Sequence, residues 1–328
     1  MNAVSSNPAY QPHAPQPQDP INNQTPYSPL APYTANVPGG KATFQPLPTL
    51  TFIPRTNVFI SAGLTPIPGV NVGVTKTVRF DPAITLSVTE SGDLRASVRP
   101  NMQFELSGTG SIGIPNILGT GVGVNAGAGV IKRITVSAPE FSTTLKLNGE
   151  VKFNANFSPT LTTTQIANVN GGAQASVGDI GGGISQSFSH ETAQTIRAGG
   201  PGLDYTVTPN KDPQVSFNND KTVTVTNSYT FVSRSSATAN VQAGPVQVNG
   251  GASIAPTFNI QHSVTFSTDT SKYTAPKHSI SAGPGVRADA FVGVRVSLLP
   301  PGLPVSLNVG ANFNPYFTGS AGRLGYAS

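Results

Sequence analysis

The sequence predicts an all-β fold: long amphipathic antiparallel hairpins forming a barrel or an elongated sandwich, preceded by an extended Pro-rich N-terminal arm. Three observations carry the prediction. Apolar and polar residues alternate strictly over long stretches, as in Val72, Val74, Val78, Phe80, Ile84, Leu86 and Val88, the period of a strand with one apolar face. The parity of that alternation switches across Gly244-Pro245, which keeps one face continuous through a tight hairpin. Prolines crowd the first 56 residues, where they set extended rather than helical backbone.

Two regions follow: residues 1–56, the arm, and residues 57–328, an all-β body with long hairpins at about 72–114, 120–157, 221–266 and 286–317. In the arm, Asp19 is the one charged residue before Lys41. Tyr10, Tyr27, Leu30, Tyr33 and Phe44 give it apolar anchors that a plain linker does not need. They are expected to dock on a neighbouring subunit.

The first hairpin turns near Ser91. A five-residue loop pairs Val88 with Leu94, Leu86 with Ala96 and Ile84 with Val98, and sets Pro82 opposite Pro100. Two prolines at one height predict a break in the ladder. A weaker pair of runs covers Val122 to Val130 and Leu145 to Phe157. Asn148-Gly149 resembles a hairpin turn, but a two-residue turn there would face Leu147 with Glu150. A continuous strand is expected instead. The stretch from Thr160 to Asp220 is Gly-rich and reads as irregular loops with two short strands.

The third hairpin is the clearest. A type II′ turn at Gly244-Pro245 pairs Phe231 with Phe258, Tyr229 with Ile260 and Val223 with Phe266. It also sets Asn227 opposite His262, expected as a buried polar pair. This Ser/Thr/Gly-rich hairpin, 223–266, is similar to the stem hairpins of β-pore-forming toxins, which implies an inserted β-barrel as one possible fate. A last hairpin joins Val286–Leu298 to Leu303–Phe317. About eight to twelve strands are expected, many longer than the usual five or six residues.

Composition narrows the function classes. Charged residues make up 10% of the 328 residues, against about 25% in ordinary soluble domains. The net charge of +5 is spread thinly, with no basic run beyond Lys132-Arg133; no nucleic acid is expected as a partner. There is no cysteine, hence no disulfide or thiolate metal site. No run of about 18 apolar residues exists, so no transmembrane helix is expected. Residues 1–20 show neither the basic nor the apolar segment of a secretory signal. Their lack of acids before Asp19 resembles many type III secretion signals.

Motifs that carry chemistry fail on inspection. Gly108-Thr109-Gly110-Ser111-Ile112-Gly113 matches a dinucleotide fingerprint, but alternation runs through it and Pro115 follows, where the motif needs a helix. His190-Glu191-Thr192-Ala193-Gln194 lacks the second histidine of a zinc-protease helix. The four histidines are scattered, so no metal or cofactor site is expected. Arg79, Arg95 and Arg99 share a face with Asp81 and Glu105, expected as a salt-bridged sheet surface. No catalytic residue is expected, and the chain reads as a non-enzyme.

The leading expectation is a structural subunit of a self-assembling particle or appendage: a virion, tail or surface structure. It would be a homo-oligomer or bound to other subunits of the assembly, through its arm and strand edges. The alternative is a membrane-inserting or pore-forming β-barrel in an outer or target membrane. Against the barrel stand the absence of Trp, the lack of aromatic girdles, Lys76 on an apolar face, and Pro82, Pro100 and Pro256 in mid-strand.

Overall fold

The computed structural model describes residues 33–45, 49–89, 91–114, 122–137, 139–269, 271, 274–300, 303–320 and 323–327. These form nineteen strands in one sheet. In chain order the first are β1 (Tyr33–Val37), β2 (Gly40–Gln45), β3 (Thr49–Ile67), β4 (Val70–Phe80), β5 (Ala83–Val88) and β6 (Leu94–Arg99). Then come β7 (Asn101–Ile114), β8 (Val122–Ser137), β9 (Glu140–Leu145), β10 (Val151–Asn156), β11 (Thr160–Val177), β12 (Ile180–Ala198) and β13 (Pro201–Val207). The last are β14 (Gln214–Asn219), β15 (Thr222–Ala243), β16 (Val246–Ser267), β17 (Lys277–Ser297), β18 (Val305–Ser320) and β19 (Arg323–Ala327).

Ten of them close a ring. β3 pairs with β4, β4 with β7, β7 with β8, β8 with β11 and β11 with β12. β12 then pairs with β15, and the long hairpins carry the ladder through β16, β17 and β18. The ring shuts where β18 lies antiparallel to β3, from Val305 opposite Leu64 to Ser320 opposite Thr49. The barrel form of the expected fold is the one observed. Followed strand by strand through its partners, the path that leaves β3 at Leu64 returns to it at Leu50, fourteen residues away. Such a stagger in a ten-stranded ring requires steep strands, near the upper end of the usual tilt of about 35–45°.

One rim consists of hairpin tips: Ile67 to Val70, Val177 to Ile180 and Ala243 to Val246. From the other rim the wall continues as a collar of short strands. β5, β6, β9, β10, β13 and β14 pair in that order, and β5 joins the collar to β3. β19 and the β1–β2 hairpin extend the wall on the far side of β3.

Prolines mark the boundary between barrel and collar. Pro82, Pro100, Pro139, Pro159 and Pro201 stand between or at the ends of the strands on its two sides. A proline has no N–H for the ladder, so pairing lapses there and each strand bends before resuming. The expected break at Pro82 and Pro100 is one part of this belt. Backbone bonds from Asp81 to Asn101 and from Phe157 to Pro201 bridge it.

The expected pairs of the first and third hairpins occur, including Leu86 with Ala96 and Phe231 with Phe258. Two expectations are corrected. Residues 140–156 do not form one strand: β9 and β10 are a hairpin with Leu145 opposite Val151. Its loop has five residues, 146–150, which restores the parity that a two-residue turn would break. The β5–β6 loop, 89–93, has the same construction, and Gly92 and Gly149 adopt φ of +83° and +82°, which other residues reach only with strain.

The second correction concerns residues 160–220, which hold two long barrel strands, β11 and β12, of 18 and 19 residues. Their outward residues are often Gly, Ala, Gln or Thr, so the apolar signal is faint. Within the range taken as the arm, residues 33–45 form β1 and β2, and β3 begins at Thr49. Tyr10, Tyr27 and Leu30 lie outside the described residues.

Because the chain lacks cysteine, ring closure is open to a direct test. Ile60→Cys with Val309→Cys, directly opposed across β3 and β18, is expected to oxidise within one chain and to shift electrophoretic mobility without forming a dimer. A disulfide-linked dimer would show that β18 pairs with another copy.

Candidate functional site: the charged lumen

Ring closure sorts the two faces of every strand into an inside and an outside. The outward set is apolar and exposed, for example Val58, Val78, Leu106, Val130, Phe188, Phe231 and Val294. The inward set is mainly polar, with a few apolar residues such as Phe59, Ile166, Val232 and Phe291 among it. Asp81 and Glu105 are buried, with side-chain exposures of 1% and 5%. This reverses the polarity of a water-soluble domain, where charges face out.

The inward charges pair with one another, some along adjacent strands and some across the lumen. Arg55 donates from Nε to Asp81 Oδ2 at 3.0 Å, and its guanidinium lies 5.0 Å from the Tyr316 ring centre. Glu105 accepts from two arginines: Arg79 Nη2 at 2.9 Å, and Arg133 from Nε at 2.9 Å and Nη2 at 2.8 Å. Arg287 makes a two-pronged bond to Glu191, at 2.7 and 3.0 Å. Arg234 lies 3.9 Å from Asp289, which also accepts from Ser253.

The Arg287–Glu191 pair locates the lumen. β15 and β16 separate β12 from β17 along the wall, a distance of roughly 14 Å at about 4.8 Å per strand. Side chains bridge that gap by crossing the interior. The residues expected as a salt-bridged sheet surface, Arg79 with Asp81 and Glu105, therefore face the interior of the closed ring. In the collar Arg95 and Arg99 both reach Glu140.

Two cavities flank the ion-pair layer. On the collar side, one of 590 Å³ is lined by hydroxyls, including Thr85, Ser97, Thr135, Thr160 and Thr195, with Arg95, Arg99 and Glu140. On the tip side, one of 420 Å³ is lined by Asn57, Thr75, Ser236, Thr238, Asn312, Phe59 and Phe291. Asp81 Oδ1, Asn312 Oδ1 and Asn314 Oδ1 are buried without a protein partner, as happens where water completes a polar cavity. Among the described residues no cluster of three His, Asp or Glu is arranged to hold a metal.

Asn227 and His262 are direct register partners, but on the outer wall, and half-buried rather than buried. Asn227 accepts from Gln194 Nε2 at 3.3 Å, and His262 lies 3.5 Å from the His278 ring nitrogen. His190 stacks on Phe231 outside the barrel while Glu191 points into the lumen, so that dipeptide serves two faces. Of the expected arm anchors, Tyr33 lies in β1 and Phe44 in β2, where Phe44 is exposed. Away from the barrel, a hydrogen bond from Lys146 to Glu150 raises the lysine pKa. Bonds from the Ser271 hydroxyl and N–H hold the Asp269 carboxyl below its ordinary value.

No family model matches the chain, and no curated protein does. Several solved structures align with it at low identity. The outer membrane protease OmpT from Escherichia coli aligns at 10% identity and a TM-score of 0.29, over 87% of this chain and 98% of that one. The toluene transporter TodX from Pseudomonas putida aligns at 6% identity and 0.23, over 87% and 90%. The beta domain of the Bordetella autotransporter BrkA aligns at 10% and 0.21, over 82% and 99%. At these scores the likeness carries no functional argument. It does correct the expectation of a non-enzyme: one of the aligned all-β chains is a protease, so hairpin architecture does not exclude catalysis.

Removing Glu105 leaves Arg79 and Arg133 facing each other in the lumen without their shared carboxylate. Glu105→Leu is expected to destabilise the barrel by about 3–5 kcal/mol, the usual cost of breaking a buried ion pair from one side. Guanidinium unfolding in detergent measures it; a loss below about 1 kcal/mol would mean that the cluster behaves as an exposed surface pair.

Proposed function

We propose that the protein is a membrane-inserted β-barrel of the outer-membrane type, whose polar lumen is a conduit for small hydrophilic solutes closed by its ion-pair layer. One observation carries the reading. Among the described residues, the outward positions of the ten barrel strands hold no acid and no arginine, and Lys76 and Lys132 are their lysines. Every other charge of those strands faces inward or sits at a strand end. A wall with exposed Val, Ile, Leu and Phe around a charged interior is stable when hydrocarbon surrounds it. Ring closure leaves none of the ten barrel strands with an unpaired edge, as hydrocarbon requires.

The same closure weakens the structural-subunit reading. Its strand edges were to pair between chains, but the ring uses both edges of all ten barrel strands. Among the described residues free edges are left at β14 in the collar, whose residues are exposed throughout, and at β1 beyond β2. Pairing of a second copy there, and docking by residues 1–32, remain the routes by which the chain would assemble. The features that argued against a barrel have positions in it: Pro82 and Pro100 end the wall, and Pro256 interrupts its ladder with β15. Strands exceed the 9–11 residues of a bilayer span because the wall extends beyond the bilayer.

Two experiments test the reading. Purified protein refolded with liposomes is expected to float with them and to resist extraction at high pH; protein that stays soluble and ignores lipid would overturn insertion. In planar bilayers, the double variant Arg287→Gln with Glu191→Gln is expected to conduct several-fold more than the parent. Equal conductance would sink the role of that pair in closing the lumen.

A further inference from the structure

Lys76 and Lys132 are misplaced for a lipid-facing wall. Both are exposed, and among the described residues neither has a carboxylate within ion-pair distance. They stand on one register row: Lys76 partners Leu106, and Leu106 partners Lys132. The two Cα atoms are thus two strand spacings apart, roughly 10 Å, within joint reach of one anion. Exposed Gln165 follows Lys132 on the same row. On the tip side this row overhangs an apolar groove of 1210 Å³ whose lining includes Val74, Gly108, Val130, Phe188 and Phe231.

We propose that this part of the outer wall binds one anionic phospholipid, resting on the membrane-barrel reading above. Its phosphate is held between Lys76 and Lys132, with Gln165 as a further donor, and an acyl chain lies in the groove below. Charge decides the occupant. An ammonium left against hydrocarbon is unfavourable, and a lipid phosphate beside it removes that cost while the lipid's own chain covers the groove. A second copy of this chain brings no complementary charge, because the outward barrel positions carry no acid among the described residues.

The test uses the full chain in vesicles of phosphatidylcholine with one-fifth phosphatidylglycerol, ~20%, followed by native mass spectrometry of the lipid retained in mild detergent. The parent is expected to retain a single phosphatidylglycerol in preference to phosphatidylcholine. Lys76→Gln with Lys132→Gln is expected to lower that preference by about twenty-five-fold, if each lysine contributes the roughly fivefold typical of a basic residue at an anionic surface. Lys76→Arg with Lys132→Arg is expected to keep it. Gly110→Leu, which fills the groove and leaves both lysines, is expected to shorten retention of either lipid. Parent protein that floats with vesicles yet shows no headgroup preference overturns the lipid site alone, as does an unchanged preference in the double glutamine variant. Protein that fails to float overturns the barrel reading and this site with it.

Discussion

The antiparallel pairing of β18 with β3 is the interaction on which the rest depends. Until it forms, the chain is an open sheet of long strands with one apolar and one polar face, and neither face has a defined side. Pairing Val305 through Ser320 with β3 gives the sheet an inside. Polar side chains then converge on a narrow lumen, and apolar ones diverge onto the outer wall. Closure also removes the unpaired N–H and C=O groups that an open sheet exposes at its edges, and in hydrocarbon those groups have no other partner.

Converging charges would be costly if they were of one sign. The lumen instead interleaves Arg55, Arg79, Arg133, Arg234 and Arg287 with Asp81, Glu105, Glu191 and Asp289. Arginine suits this because its planar fork meets a carboxylate with two parallel bonds, as Arg287 meets Glu191. Two of these contacts, Arg287 with Glu191 and Arg234 with Asp289, tie together strands that are not neighbours in the wall and brace the ring across its width, whereas the Arg55 and Glu105 pairs join adjacent strands.

The proline belt has a complementary role at the barrel's rim. Strands of about twenty residues, continued unbroken into the collar, would present a tall smooth ladder. Pro82, Pro100, Pro139, Pro159 and Pro201 interrupt it at the rim, so the wall changes direction while the chain passes from one ladder to the next. The collar keeps the barrel's alternation, with Ile84, Leu86, Phe141 and Phe153 exposed outside and Arg95, Arg99 and Glu140 facing in.

By itself the sequence determined the strands, their faces and several registers, because these depend on local alternation and on turn chemistry. Period-2 patterning and the Gly244-Pro245 turn specify which residues of β15 and β16 oppose each other, Asn227 and His262 included. Where outward residues are Gly, Ala, Thr or Gln, as in β11 and β12, the same alternation is present with little hydrophobic contrast, and two long strands went unseen. The β9–β10 loop was missed because Asn148-Gly149 suggested a two-residue turn when five residues satisfy parity. Which face lies inside was left to the tertiary structure. An alternating strand reads identically whether its apolar side faces inward or outward, and only closure through β18 and β3, with Glu191 and Arg287 meeting across the lumen, separates the two.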